Sequence, residues 1–169
     1  GYRKFKLKRV SLIRHAKSDS DNKHSDYYRP LNLRGTKDAS LMSKRLFSLY
    51  GKPDLIICSG AIRALTTAEF FATNCSYQME KIIIKDSLYL ASSSKIIQVI
   101  NSINNKYSNV WIFSHNPGIS EAVIELTERI IELKTCCICT IEKDTNYWNE
   151  LDFGNCHLIK HICPKDNLN

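Results

Sequence analysis

Short apolar runs alternate with helix-spaced segments along nearly the whole chain, and this alternation restricts the fold more than any other feature. "RVSLI", "DLIICS", "KIIIKD" and "NVWIFS" read as strands. Between them, "NLRGTKDASLMSKRLFSLY" carries Ala39, Leu41, Met42, Leu46 and Leu49 at helical spacing and stops before Gly51-Lys52-Pro53. "AIRALTTAEFFATN" reads as a second helix. "SSSKIIQVINSINN" opens on serine N-cap candidates and sets Ile96, Ile97, Ile100 and Ile103 on one face. "GISEAVIELTERI" reads as a further helix. "TCCICTIE" and "NCHLIKHI" read as late strands separated by the turn-rich "KDTNYWNELDFG". Strands alternating with helices predict a three-layer α/β/α sandwich around a mostly parallel central sheet.

A chain of 169 residues suits one domain with a full core. Residues 1–7, inside the basic start "GYRKFKLKR", are expected to be a partly ordered extension of that domain. The formal net charge of +7 fits an anionic ligand, a nucleic acid or an acidic protein. Nucleic-acid binding asks for basic residues interleaved with aromatics or a recognisable module, and neither is present. No apolar run approaches membrane-spanning length, and the basic start is not followed by an apolar signal-peptide core. The expectation is a cytoplasmic protein that binds neither nucleic acid nor membrane. Cysteines stand at 58, 75, 136, 137, 139, 156 and 163. Cys136 and Cys139 are spaced C-x-x-C, but no second pair follows at zinc-ligand spacing. All seven are therefore expected to be reduced thiols, with Cys136, Cys137 and Cys139 alternating along a strand and binding no metal.

Three strands end in similar punctuation. The first runs into Arg14-His15. The second runs into "SGAIR", which places Arg63 in the first turn of a helix, and "NVWIFS" runs into "SHNPG" with His115. Each has a plain structural reading: a hydrogen-bonded histidine, a helix start capped by Ser59, an Asn-Pro-Gly turn. Their coincidence at three parallel strand ends favours a shared site, because carboxyl ends of parallel strands line one edge. Two guanidiniums and two imidazoles without an obvious paired carboxylate suit a dianion, and phosphate matches the arginine fork best.

"LIRHAKS", "RPLNLRG", "CSGAIRALTTAE" and "SHNPGISE" appear in the order found in the histidine phosphatase (phosphoglycerate-mutase-like) superfamily. "RHAKS" with "RPLN" and "HNPG" most resembles its SixA-type phosphohistidine phosphatase branch. The resemblance covers roughly residues 8 to 164. It implies that His15 is a nucleophile that becomes phosphorylated, that Arg14 and Arg63 clamp phosphoryl oxygens, and that a protonated His115 donates to the same group. It also sets Ser18 and Asp21 near the phosphate and implies no metal or other cofactor. Gly60 stands where the superfamily often has Pro, and Thr66 where it often has Gln.

Many relatives carry a glutamate after the third strand that protonates the leaving oxygen. Here the stretch is "DSLYLASSS", and the remaining acid candidates are Asp86, read mainly as a turn cap, and Asp26 in the polar loop. A missing acid favours a leaving group that needs little help. Imidazole, with a pKa of about 6.5, is a better one than an alkoxide. The expected substrate is therefore phosphohistidine in a phosphorylated signalling protein. A small phosphorylated molecule is the alternative, and an inactive phosphate-binding module is the reading from another class.

Overall fold

The computed structural model describes residues 6–166. Residues 1–5 of the expected N-terminal extension lie outside the described residues. The elements follow in the order β1 (Lys8–Arg14), α1 (Leu33–Tyr50), β2 (Leu55–Cys58), α2 (Ile62–Asn74), β3 (Ile83–Ile84), α3 (Ser93–Asn101), β4 (Asn109–Ser114), α4 (Gly118–Thr127), β5 (Ile138–Lys143) and β6 (His157–Ile162). They form one six-stranded sheet in the order β3-β2-β4-β1-β5-β6. The pairs β3·β2, β2·β4 and β4·β1 are parallel, while β5 pairs antiparallel with both β1 and β6.

The central strands are mainly apolar between their ends because both faces are covered. In β4, Val110 and Ile112 join one buried cluster, with Ile96 and Ile100 of α3 and Ile119, Val123 and Leu126 of α4. Trp111 and Phe113 join the other, with Met42 and Leu46 of α1 and Ala68 and Phe71 of α2. The period-two alternation of a strand thus divides the helices into two layers, as expected from the sequence. The helix boundaries follow local chemistry. Asn32 caps α1 by accepting from Gly35 N at 2.8 Å. Gly51, at φ 75°, ends that helix by donating its N–H to Phe47 O.

Two glycines permit close approaches that shape the site edge. A Cβ on Gly35 would lie 2.1 Å from Lys17 O, so the loop after β1 crosses α1 there. A Cβ on Gly118 would lie 1.8 Å from Ala91 O, which brings the start of α4 against the segment entering α3.

Three expectations need correction. "KIIIKD" yields only a two-residue strand, because β3 is an edge strand and Ile83 and Ile84 are exposed. α4 stops before "ERI", where Glu128 turns left-handed at φ 58°. Cys136 and Cys137 precede β5 rather than lying in it. Cys136 has φ 61°, and its N–H bonds to the carbonyls of Arg14 and His15 at 3.1 and 3.0 Å. The facing of these cysteines still alternates: Cys137 and Cys139 enter one cluster, Cys136 the other.

The expectation of seven free thiols also fails, because Cys137 and Cys163 form a disulfide. The ladder explains it. Ile138 pairs with Ile162, so Cys137 and Cys163 come next and face each other across the two strands, with Cα atoms 4.2 Å apart. Cys58, Cys75, Cys136, Cys139 and Cys156 are free and buried. Burial pushes the thiols of Cys58 and Cys139 up to about 12.

Candidate active site

β2, β4 and β1 are neighbours in the sheet, so their carboxyl ends meet. Arg14 pairs with Ser114 in the ladder, His15 N bonds to Ser114 O at 3.2 Å, and Ser59 N bonds to Phe113 O at 3.0 Å. These contacts fix the start of each following loop. Thr67 ties the edge to α2: its hydroxyl accepts from Ala16 N at 3.0 Å and donates to Arg63 O at 2.6 Å.

Arg63, His15 and His115 are all buried there. Arg63 donates from Nε to His15 Nε2 at 3.4 Å, and its Nη2 lies 3.5 Å from His115 Nδ1. The two imidazole centroids are 5.2 Å apart. His15 Nδ1 lies 2.8 Å from Ala16 O, an acceptor only, so the neutral ring carries its proton on Nδ1. Its Nε2 lone pair is left facing Arg63. By the same reasoning, His115 Nδ1 accepts from Arg63, and His115 Nε2 donates to Ser59 Oγ at 2.8 Å. Arg14 spends Nη1 on Leu133 O at 3.1 Å, while its buried Nε has no partner among the described residues.

Burial lowers the His15 pKa to about 3, helped by the charges of His115, Arg63 and Arg14. His115 falls to about 4, chiefly by burial and then by Arg63. The unfolded chain therefore binds protons at these rings that the fold does not. Stability due to them is fully present above about pH 6.5 and drains away as the pH falls towards 3. Burial and then Arg63 therefore keep the His115 ring neutral near pH 7.

The cations do have a carboxylate partner, contrary to the sequence reading. Asp26 takes Nη2 of Arg63 at 3.0 Å on Oδ2, and its carbonyl takes Nη1 at 2.6 Å. Tyr89 donates its hydroxyl to the same Oδ2 at 2.5 Å, and its ring stands edge-on to His115. The Tyr89 hydrogen bond and then Arg63 hold the Asp26 carboxyl down to about 2.

No family model matches the sequence. An uncharacterised chloroplast protein of Arabidopsis thaliana is 31% identical over 152 residues, spanning 85% of this chain and 70% of that protein. A provisionally assigned SixA phosphohistidine phosphatase from Agrobacterium tumefaciens superposes with a TM-score of 0.80 at 21% identity, over 93% of this chain and 98% of that one. A protein histidine phosphatase SixA complexed with tungstate superposes with a TM-score of 0.79 at 21% identity, over 92% and 97% of the two chains. A mycobacterial glucosyl-3-phosphoglycerate phosphatase has the same fold at a TM-score of 0.68 and 11% identity, over 90% and 97%.

The chain has the fold of the SixA phosphohistidine phosphatases.

Its fold brings together four of the residues that the superfamily motifs single out: Arg14, His15, Arg63 and His115. Ser18 and Asp21 are engaged inside the loop. Ser18 Oγ donates to Pro30 O at 2.5 Å, and Asp21 Oδ1 accepts from the N–H groups of Lys23 and His24 at 2.9 Å each. Asp86 does not cap its turn; Lys85 holds the cap position without a side-chain bond. Its carboxylate and the Tyr27 hydroxyl flank Gly60, 3.3 and 2.2 Å from where a Cβ would sit. That crowding explains glycine at a position where the superfamily often carries proline. Tyr89, Thr67 and the partnership of Ser59 with His115 were not anticipated. Each is an ordinary residue in a short segment, and only the fold gives it a partner.

No helix among the described residues is long and apolar enough to cross a membrane.

Proposed function

We propose that the protein is a phosphatase that works through a phosphohistidine on His15 and acts by preference on phosphohistidine in a protein. The observation that carries this reading is the His15 tautomer: Nδ1–H is spent on Ala16 O, and the Nε2 lone pair points into a cationic pocket. In the first step Nε2 attacks phosphorus, the bond to the leaving atom breaks, and that atom departs with a proton drawn from solvent, which the water consumed in the second step returns. In the second step water attacks phosphorus, the N–P bond breaks, and neutral His15 and inorganic phosphate result. Phosphoryl transfer needs positioning and charge neutralisation above all. Arg63 supplies a buried guanidinium, and the unspent Nε of Arg14 offers a further donor for a phosphoryl oxygen. These charges do the work of a cation, so the reaction needs no metal and survives chelators.

His115 must gain its proton with the substrate: burial and then Arg63 lower its pKa to about 4, and the arriving dianion offsets that penalty. His15 stays neutral down to about pH 3. The expected rate profile has no acid limb from His15 above about pH 4. Its basic limb reports loss of the His115 proton, and it lies higher in kcat than in kcat/KM. Steady-state rates across pH check this; a basic limb that persists unchanged in His115→Asn removes His115 from the role.

One observation favours the small-molecule ester reading. Asp26 and Tyr89 stand beside Arg63 and His115, where a leaving oxygen could take a proton. The carboxyl is held ionised down to about 2, however, so it serves first as the counter-charge of Arg63. The deciding measurement is a rate comparison on a phosphohistidine protein, a phosphoramidate and a panel of phosphate esters, with chelator present. Faster turnover of N-linked phosphate supports the proposal. An ester turned over faster than every N-linked substrate supports the phosphomonoesterase, and binding of phosphate without turnover supports the inactive module.

A further inference from the structure

Beside the phosphate-binding edge lies a second cleft of about 510 Å³, lined by Arg14, Cys137, His161 and Cys163 among others. The Sγ atoms of Cys137 and Cys163 and a ring nitrogen of His161 all lie within 4.8 Å of one another, with His161 Nε2 3.4 Å from Cys163 Sγ. The ladder produces this convergence. Cys139 pairs with His161 and Ile138 with Ile162, so His161 and Cys163 point to one face of the strand and Cys137 meets Cys163 from the neighbouring strand. The backbone of Cys163 is held on both sides: its N–H donates to Asp166 Oδ2 at 2.7 Å, and its carbonyl accepts from Arg45 Nη1 at 3.2 Å.

We propose that this corner is a redox-gated zinc site, a disulfide when oxidised and a Cys137–His161–Cys163 zinc site when reduced. Two thiolates and an imidazole are the donor set that selects Zn²⁺. With Zn–S near 2.3 Å and Zn–N near 2.0 Å, tetrahedral ligand atoms stand roughly 3.5–3.8 Å apart. The His161–Cys163 separation of 3.4 Å is already close to that edge. The two sulfurs reach it once their bond is broken. A dithiol reductant transfers two electrons and two protons to the Cys137–Cys163 disulfide and becomes a disulfide itself. Zn²⁺ then replaces the two thiol protons, which are released. Three protein ligands leave a fourth position for water or an acidic side chain; Asp38, Glu132 and Asp166 line the cleft, together with five basic residues. Disulfide and metal exclude each other because both use the same sulfurs.

The test uses the full chain, reduced with a dithiol, desalted without air and titrated with Co²⁺ and then Zn²⁺. About one Co²⁺ per chain, with a thiolate-to-cobalt charge-transfer band that Zn²⁺ abolishes, is expected. The diamide-oxidised chain should show no such band. His161 is exposed, so His161→Ala should fold and keep the disulfide. Losing the partner of a metal ligand already weakens binding 10–100-fold, so losing the ligand itself should weaken Zn²⁺ binding at least about tenfold. Cys163→Ser should lose both disulfide and band. A reduced chain that gives no thiolate–cobalt band, or a His161→Ala variant that binds Zn²⁺ as tightly as the unmodified chain, overturns the proposal.

Discussion

Replacing His15 with Ala is expected to abolish turnover while leaving the fold intact. A covalent nucleophile enables both chemical steps, so its loss should cost on the order of a millionfold in kcat. The ring makes one backbone hydrogen bond, from Nδ1 to Ala16 O, and its neighbour Ala16 is anchored independently through Thr67. The alanine variant should therefore retain its circular dichroism and a cooperative unfolding transition. Rapid quenching of the unmodified protein with labelled substrate should capture an acid-labile, alkali-stable phosphoenzyme, and mass spectrometry should place it on His15. Brisk turnover without labelling, together with an active His15→Ala variant, would make His15 a structural histidine.

Arg63→Ala should be nearly as severe, by on the order of a thousandfold or more, the scale seen when an arginine that meets a transferring phosphoryl group is lost. Arg63 touches His15, His115 and Asp26 at once. Its removal withdraws charge from the transition state and also leaves the Asp26 carboxylate without its cation. The Asp26 pKa should then rise from about 2 towards the ordinary range. Because Asp26 and Arg63 interact directly, their substitutions should not add: Asp26→Asn on top of Arg63→Ala should cost much less than Asp26→Asn alone. Arg63→Lys keeps a charge but loses the fork, and it should recover only part of the rate. Initial rates for the four variants check these expectations, and an Arg63→Ala enzyme within tenfold of the unmodified protein would contradict the charge-neutralisation account.

The parallel core was legible because its period was unambiguous. "NVWIFS" and "DLIICS" could be little else than central strands, and the residues at their ends were bound to share an edge. "KIIIKD" has the same composition, yet only Ile83 and Ile84 pair. A strand's length depends on its neighbours, and an apolar run carries no mark of lying at the rim. The Cys137–Cys163 bond was hidden for a related reason. Reading cysteines by spacing looks along the chain, whereas this pair is set by the register of β5 against β6 across 26 residues. The missing acid shows the limit most clearly. A search for glutamate in "DSLYLASSS" passes over Tyr89, whose hydroxyl meets Asp26, 63 residues away in sequence. His15, Arg14, Arg63 and His115 could be grouped from the sequence because each sits within a few residues of a strand end. Tyr89 was missed because its contacts with Asp26 and His115 depend on a loop folding over the edge.

Leu133 has a wider consequence. Its carbonyl receives both Arg14 Nη1 at 3.1 Å and Asn116 Nδ2 at 2.7 Å, and its N–H donates to Ser120 Oγ at 2.9 Å. One buried residue in the connection between α4 and β5 thus acts as a rivet that fastens the connection to both the guanidinium and the helix start. A few residues before it, Ile130 is almost wholly exposed. Chain inserted on that side would build a wall beside Arg14 while the rivet kept Arg14 and the start of α4 in register. Such a layout lets the connection change in length while the strand-end geometry beneath it stays the same.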